Sequence, residues 1–397
     1  MGTLLGLLMA LSLGEPQAAR ATGPDLQSLL KTLRAVAPQG VGNREAAGAW
    51  ERLVQADAAQ LPAILAGMDQ ANPLAANWSR AAVDAIAERQ LQRRGALPAA
   101  ELERFVGDTR HAPRARSLAY EWLVRADPSA RDRLIGQRNA AMLNDPSLEL
   151  RREAVARLIA DAAILAAAQK PSEATGAFQR ALSAARDPDQ IRLVTDRLRK
   201  LGQAVDLPRH FGFIVGWRVI GPFDNRGGKG FDAVYAPEQE VNFNASYPGK
   251  HGTVKWGDYR SGDDYGMIDL NKAIGEEKGV AGYAAAEFFS EGRQEVEVRI
   301  TSFNALKLWL NGALIARFPV YHSGSQLDQY VARGVLQPGR NLILVKICQN
   351  EQTQDWARYW GFQLRVCDRI GGAVLSTDRD NSPAPAPPKP GSGPKTS

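Results

Sequence analysis

Cysteine is almost missing from these 397 residues: Cys348 and Cys367 are the whole supply, so at most one disulfide is available. Histidine is nearly as scarce, with four residues. His111, His210, His251 and His322 stand far apart, in no H-E-x-x-H or other metal-binding spacing. No G-x-S-x-G elbow occurs, and neither cysteine has a catalytic-type neighbourhood. Beyond the N-terminus no apolar run reaches membrane-spanning length. The formal charge of +6, with a pI near 9.3, is spread thinly and contains no block of five or six basic residues. That pattern is a solvated, mildly basic surface and excludes a nucleic-acid reader. What remains is a chain without a recognisable catalytic motif, whose 44% hydrophobic content argues against wholesale disorder. Its length accommodates two or three domains.

The N-terminus has the composition of a signal peptide. An apolar run from Leu4 to Leu13 is followed by Gly14 and Pro16 and by an A-x-A site at Ala19-Arg20-Ala21, although no Lys or Arg precedes the run. Residues 1–21 are therefore expected to be removed and the protein exported, periplasmic or extracellular. Residues 22–205 are rich in Ala, Leu and Arg with helical spacing, as in Val83, Ile86, Ala87 and in Val155, Leu158, Ile159. Breaks fall at Asn72-Pro73, His111-Ala112-Pro113 and Asn144-Asp145-Pro146. Asn or Asp before Pro starts a helix, because the side chain caps free N–H groups and proline suits the first turn. Arg80, Arg116 and Arg152 stand 36 residues apart, with Ile86, Trp122 and Leu158 in the same register. A fixed period of this size predicts stacked helical hairpins. Asp145-Pro146 followed by Leu150-Arg151-Arg152-Glu153-Ala154-Val155 resembles the HEAT repeat, over about three units. A last helical pair, 173–185 and 188–201, is equally TPR-like.

Composition changes after Asp206. Val296, Val298 and Ile300 alternate, as do Leu306, Leu308 and Leu310, and Asn311-Gly312 then gives a hairpin signal. Residues 341–349 and 361–368 supply two further strands, the first entered through Pro338-Gly339. Read as a simple hairpin, these two strands place Cys348 and Cys367 about six residues, roughly 20 Å, apart along the ladder. That is too far for a disulfide, and both thiols are expected to be free. The run Trp309-Leu310-Asn311-Gly312, then Asp328, then Leu336-Gln337-Pro338-Gly339-Arg340-Asn341-Leu342-Ile343-Leu344-Val345-Lys346 resembles the galactose-binding-like jelly roll found beside or within glycoside hydrolases. The expected fold is thus an α-helical repeat (α-solenoid) segment, 22–205, then a jelly-roll, galactose-binding-like β-sandwich, 206–370, then a Pro-rich disordered tail, 371–397.

Function is read from the β region. Five of the eight tryptophans lie there. Trp356, Arg358, Tyr359 and Trp360 share the loop between the last two strands, and with Asp328 they form the candidate ligand set: sugars bind flat aromatic faces flanked by polar groups. Asp224, Asn225 and Asp232 are candidate ligands for a structural calcium, which such jelly rolls often hold. Gly221–Gly230 is glycine-rich but lacks the order of a phosphate-binding loop. No cofactor beyond that calcium is expected. The reading is an exported, non-catalytic binding or scaffold protein, meeting a protein through its helices or a glycan through its sandwich. The alternatives are a glycan-acting enzyme or accessory subunit, and a structural envelope component.

Overall fold

The computed structural model describes residues 23–136 and 139–378; the expected signal peptide and most of the expected tail lie outside them. The chain divides into two compact units, Met1–Arg197 and Leu198–Ser397, the division falling within a helix ahead of the composition change at Asp206. The first is helical among its described residues and the second is built on antiparallel sheets. Among the described residues no helix is long and apolar enough to cross a membrane.

The helical unit runs α1 (Gly23–Arg34), α2 (Asn43–Leu53), α3 (Leu61–Ala66), α4 (Pro73–Gln92), α5 (Ala99–Gly107), α6 (Pro113–Ala126), α7 (Asn139–Met142), α8 (Leu148–Ala167), α9 (Pro171–Ala184) and α10 (Pro188–Lys200). The Asn72-Pro73 signal works as the sequence predicts: the Asn72 carboxamide accepts from the N–H groups of Leu74 and Ala75. At α8 the cap is instead Ser147, whose hydroxyl accepts from Leu150 N–H at 3.3 Å. Asp145 is thereby left for a different partner. Both oxygens of Asp145 bind the fully buried Arg116 guanidinium, at 2.8 and 2.6 Å, and the same guanidinium donates twice to Val106 O near the end of α5.

The 36-residue register needs correcting. Helices α6 and α8 begin at Pro113 and Leu148, so the structural equivalent of Arg116 is Arg151, the fourth residue of its helix. Arg151 is also buried and donates to Asp145 O and Ala184 O. Arg152 points to the surface and pairs with Asp187 and Asp189, and Arg80 pairs at the surface with Glu121. Pattern matching follows residue type. The fold instead uses the position on the helix, where a buried guanidinium can reach orphaned C-terminal carbonyls.

In the β unit a six-stranded sheet has the order β4-β1-β6-β11-β8-β9 and a four-stranded sheet the order β10-β7-β12-β5. The strands are β1 (Gly216–Asp224), β4 (Gly257–Arg260), β5 (Ile268–Asp269), β6 (Val280–Ser290), β7 (Gln294–Thr301), β8 (Ala305–Leu310), β9 (Ala313–Phe318), β10 (Tyr330–Leu336), β11 (Gly339–Gln349) and β12 (Gly361–Cys367). A two-stranded ribbon, β2 (Ser246–Pro248) and β3 (Thr253–Lys255), stands apart. The two main sheets face each other across one core that includes Val296, Val298, Ile300, Leu306, Leu308, Ile343, Val345, Phe362 and Leu364. A second cluster covers the outer face of the six-stranded sheet, where Phe231 and Trp256 pack on Ala281, Tyr283, Trp309, Leu344 and Cys348.

The turn motifs act as expected. Asn311 and Gly312 take φ of 52° and 80°, as a tight hairpin turn requires. Asn341 is fully buried; it accepts from Gln337 N–H and Asn311 Nδ2, and donates to Phe288 O and Gln337 O, so the two motif asparagines lock the β8–β9 hairpin to the turn between β10 and β11.

Two strand-level expectations fail. The last two strands do not form a hairpin: β11 pairs with β6 and β8, whereas β12 pairs with β7 and β5. Cys348 and Cys367 therefore lie in different sheets, both as buried free thiols, and the six-residue spacing along one ladder is not what separates them. The connecting loop crosses from one sheet to the other, a choice that strand patterning alone does not record. The tail also begins later than 371. Val374 N–H donates to Val366 O and Thr377 N–H to Phe289 O, both at 3.0 Å, so residues 371–378 belong to the β unit.

Candidate ligand-binding face of the β unit

Four loops meet at one end of the facing sheets: the turn Arg226–Phe231 after β1, residues 302–304 between β7 and β8, residues 319–329 between β9 and β10, and residues 350–360 between β11 and β12. A layer of fully buried amides joins them. Asn225 Nδ2 donates to Tyr321 Oη and to Gln349 O, both at 3.0 Å. Asn304 Nδ2 donates to Gln349 Oε1 at 2.9 Å, and Gln349 Nε2 donates to Ala357 O at 3.0 Å. The backbone N–H of Gly227 binds the Glu351 carboxylate, and Lys278 Nζ donates to Ala357 O at 2.7 Å. Asn225 Oδ1 is a buried acceptor with no hydrogen-bond partner among the described residues. Loops cross-linked in this way hold the side chains above them in place.

Two ring pairs stand on that layer. Trp356 is 55% exposed and packs edge-on against His322, with centroids 4.7 Å apart. Tyr359 is 62% exposed and stacks on Phe303 at 5.1 Å. His322 is tied down by its N–H to Phe303 O and by Nε2 to Asn350 Oδ1 at 3.2 Å. Arg358 lies beside them, exposed, with Asp355 at 2.8 Å.

Of the five residues in the expected ligand set, three are on this face and two are not. Trp360 is 1% exposed and belongs to the core between the sheets, its Nε1 donating to Ile347 O at 3.2 Å. Its ring occupies the space beside Gly282, where an added Cβ would come within 2.9 Å. Asp328 is a structural anion. Arg365 Nε reaches its Oδ1 at 2.7 Å, and Arg299 Nη1 and Arg365 Nη2 reach its Oδ2 at 2.8 and 2.5 Å. Burial opposes ionisation there, but the two arginines outweigh it and hold the carboxyl below its ordinary value. The clamp also ties Phe211 O and Gly371 O to Arg365, so it fastens flanking segments to the four-stranded sheet.

The expected calcium ligands do not form an oxygen cage. Asp224 is taken by Arg226, whose hydrogen bonds lower its carboxyl below the usual value. Asp232 is taken by Arg317 at 2.7 Å, with Lys307 at 3.8 Å, and Asn225 turns its amide into the buried layer. Among the described residues no group of three or more His, Cys, Asp or Glu is placed to hold a metal. The donor set is neutralised by cations already present in the chain and does not fit a calcium.

One cluster had a signal that pattern reading passes over: a lysine in the middle of Ile343-Leu344-Val345-Lys346-Ile347. Lys346 is fully buried and its Nζ reaches Ala233 O and Glu238 Oε1 at 2.7 Å and Phe231 O at 3.2 Å. Tyr283 donates to the same Glu238 oxygen at 2.5 Å. Burial lowers the ammonium's affinity for its proton and raises that of the Tyr283 phenol. The cluster pins the segment that carries Phe231 and the short helix Ala236–Gln239 against the sheet.

No protein-family model matches this chain. No curated protein matches it either. Among solved structures it is similar to a β-glucosidase from Kluyveromyces marxianus in complex with glucose, at TM-score 0.25 and 11% identity, over 41% of this chain and 17% of that one. It is also similar to a GH31 α-xylosidase from Xanthomonas citri, at TM-score 0.18 and 14% identity, over 28% and 15%. A third, a Paenibacillus sp. cycloisomaltooligosaccharide glucanotransferase complexed with cycloisomaltoheptaose, has TM-score 0.16 and 13% identity, over 45% and 22%. The chain thus spans less than a quarter of each of these structures. Likenesses of this size assign neither a family nor an activity.

Proposed function

We propose that this is an exported, non-catalytic binding or scaffold protein, with a HEAT-like helical array for protein contact and a galactose-binding-like jelly roll that takes a carbohydrate at its loop end. The observation that carries the reading is the pair of exposed rings, Trp356 and Tyr359, each backed by a second ring and underpinned by buried amides. Flat apolar rings held rigidly in water suit the C–H face of a sugar, because no side-chain entropy is lost when the ligand docks. The carboxylates of the same loop, Glu351 and Asp355, are each bound to a neighbour, Gly227 N–H and Arg358. That favours binding over glycoside hydrolysis, which needs two carboxyl groups flanking the bond.

A glycan-array screen of the full chain, followed by calorimetry of the best ligand, tests the reading. Trp356→Ala and Tyr359→Ala are each expected to weaken binding by about 1–3 kcal/mol, by analogy with bases stacked on aromatic rings, with the melting temperature unchanged. Retention of no glycan, or affinities indifferent to both substitutions, would overturn it.

A further inference from the structure

The outer face of the six-stranded sheet carries a row of charge that has no part in the function proposed above. Lys346, Lys307 and Arg317 are successive cross-strand neighbours on β11, β8 and β9. Their chain neighbours Val345, Leu306 and Ala316 face the core between the sheets, so the three cations share the other side. Directly opposed residues have Cβ atoms about 4.5–5.5 Å apart, and like charges placed so are destabilising. A row of three cations across three strands therefore needs partners from outside the sheet.

The covering segment compensates the two ends of the row. Lys346 has an acceptor for each N–H, in Phe231 O, Ala233 O and Glu238 Oε1. Arg317 Nη2 donates to Asp232 Oδ1 at 2.7 Å, and that bond, with Lys307 and Lys346 nearby, holds the Asp232 carboxyl below its ordinary value and so ionised at neutral pH. Lys307 is left in the middle. Its side chain is only 9% exposed, yet no hydrogen bond to its Nζ occurs among the described residues. Asp232 Oδ1 stands 3.8 Å away, beyond hydrogen-bonding reach. The Phe231 ring centroid lies 5.0 Å from Lys307 Nζ and 4.9 Å from the Arg317 guanidinium. Three cations thus meet two carboxylates, Glu238 and Asp232, and one positive charge of the row is uncompensated. Asp232 and Arg317 are 71% and 47% exposed, so that end of the row opens to water.

We infer that Lys307 and Arg317 form a binding site for a singly charged oxyanion, the carboxylate or sulfate ester group of a ligand. A nearly buried ammonium without acceptors is costly, and an oxyanion entering at the open end supplies them. Arg317 spends one nitrogen on Asp232, and the rest of its guanidinium fork can hold a second oxygen of the ligand. Lys346, its N–H groups all engaged, adds charge to the site but no donor. Charge also sets the selectivity. One negative charge neutralises the row, whereas a second would be repelled by Asp232. The site shares no residue with the Trp356 and Tyr359 face and stands whether or not a glycan binds there.

The test is calorimetric titration of the full chain with acetate, methyl sulfate and methyl phosphate at constant ionic strength. Methyl sulfate and methyl phosphate share a shape and differ by one charge at about pH 8. Saturable binding of acetate or methyl sulfate is expected, the tighter of the two naming carboxylate or sulfate ester as the natural group, with methyl phosphate weaker than methyl sulfate. Lys307→Met and Arg317→Gln should each weaken binding about tenfold, as loss of a charge-assisted hydrogen bond does. Asp232→Asn should tighten methyl sulfate about threefold and erase the discrimination against methyl phosphate. A carboxylate that served only to hold the covering segment would give neither change. Lys307→Met relieves repulsion with Lys346 and is expected to fold; should it fail to, Arg317→Gln on the half-exposed edge decides alone. Absence of saturable binding by both monoanions, methyl phosphate bound as tightly as methyl sulfate by the unsubstituted chain, indifference to the cation substitutions, or weaker binding in Asp232→Asn overturns the inference.

Discussion

The two units bury charge in opposite ways. In the helical unit the buried cations, Arg116 and Arg151, sit at equivalent helix positions and donate to carbonyls at the ends of neighbouring helices. In the β unit the buried Lys346 and Arg365 and the half-buried Arg299 lie on the outer faces of sheets and hold covering segments down. Helices leave four carbonyls without partners at each C-terminus, so a guanidinium in a helical array has an obvious task. A sheet satisfies its own backbone, and a buried cation there has to find its partners in whatever lies across the face. The first kind of burial follows from local geometry; the second depends on a segment a hundred residues away.

This contrast can be broken at its strongest point first. Asp145→Ala strips Arg116 of its counter-ion in a buried site, and is expected to destabilise the helical unit by about 3–5 kcal/mol in urea unfolding. A loss under 1 kcal/mol would mean that the helix-end carbonyls alone hold the guanidinium. Next comes the loop 350–360, where two tryptophans four positions apart have opposite roles. Trp360→Ala is expected to cost about 3–5 kcal/mol of β-unit stability, as loss of a core indole does. Trp356→Ala should stay within about 0.5 kcal/mol, the usual range for a surface substitution. Equal melting temperatures for the two variants would refute the assignment of Trp360 to the core.

Glu238→Gln sharpens the β-unit half of the comparison. It leaves the buried Lys346 ammonium uncompensated and is expected to cost about 2–3 kcal/mol. Hydrogen exchange should accelerate in residues 225–239 before the rest of the sheet, and uniform acceleration would count against a pinned segment. The smallest effect is the pH dependence of the Asp328 clamp. Its folded carboxyl is held below the unfolded value, so its contribution is complete at neutral pH and is lost as pH falls through the folded value. Asp328→Asn should therefore flatten the acid limb of the stability profile; an unchanged limb would remove the clamp from the account of acid sensitivity.

Much of the local structure was legible. The Asn72 cap, the Asn311-Gly312 turn, the alternation of β7 and β8 and the start of β-type patterning are all written in short windows, where side chain and backbone interact within a few residues. Strand β6 was not. Its stretch Val280-Ala281-Gly282-Tyr283-Ala284-Ala285-Ala286 has no alternation, because both faces of the central strand are covered and small residues serve on each. For the same reason Lys346 and Cys348, on the outer face of β11, are interior.

The candidate site divides along the same line. Trp356, Arg358, Tyr359 and Trp360 were identifiable as one aromatic loop, since composition and position between strands are local properties. Which ring faces water was decided by the loop's passage from β11 in one sheet to β12 in the other, which turns Trp360 into the gap beside Gly282 and leaves Trp356 beside His322. Asp328 followed the same rule: its carboxylate was visible in the sequence, but the arginines that neutralise it come from two different strands. Short-range rules specify caps, turns and strand faces because the partners are near in the chain. Burial and ion pairing depend on partners that can lie more than a hundred residues away, and only the closed tertiary structure assigns them.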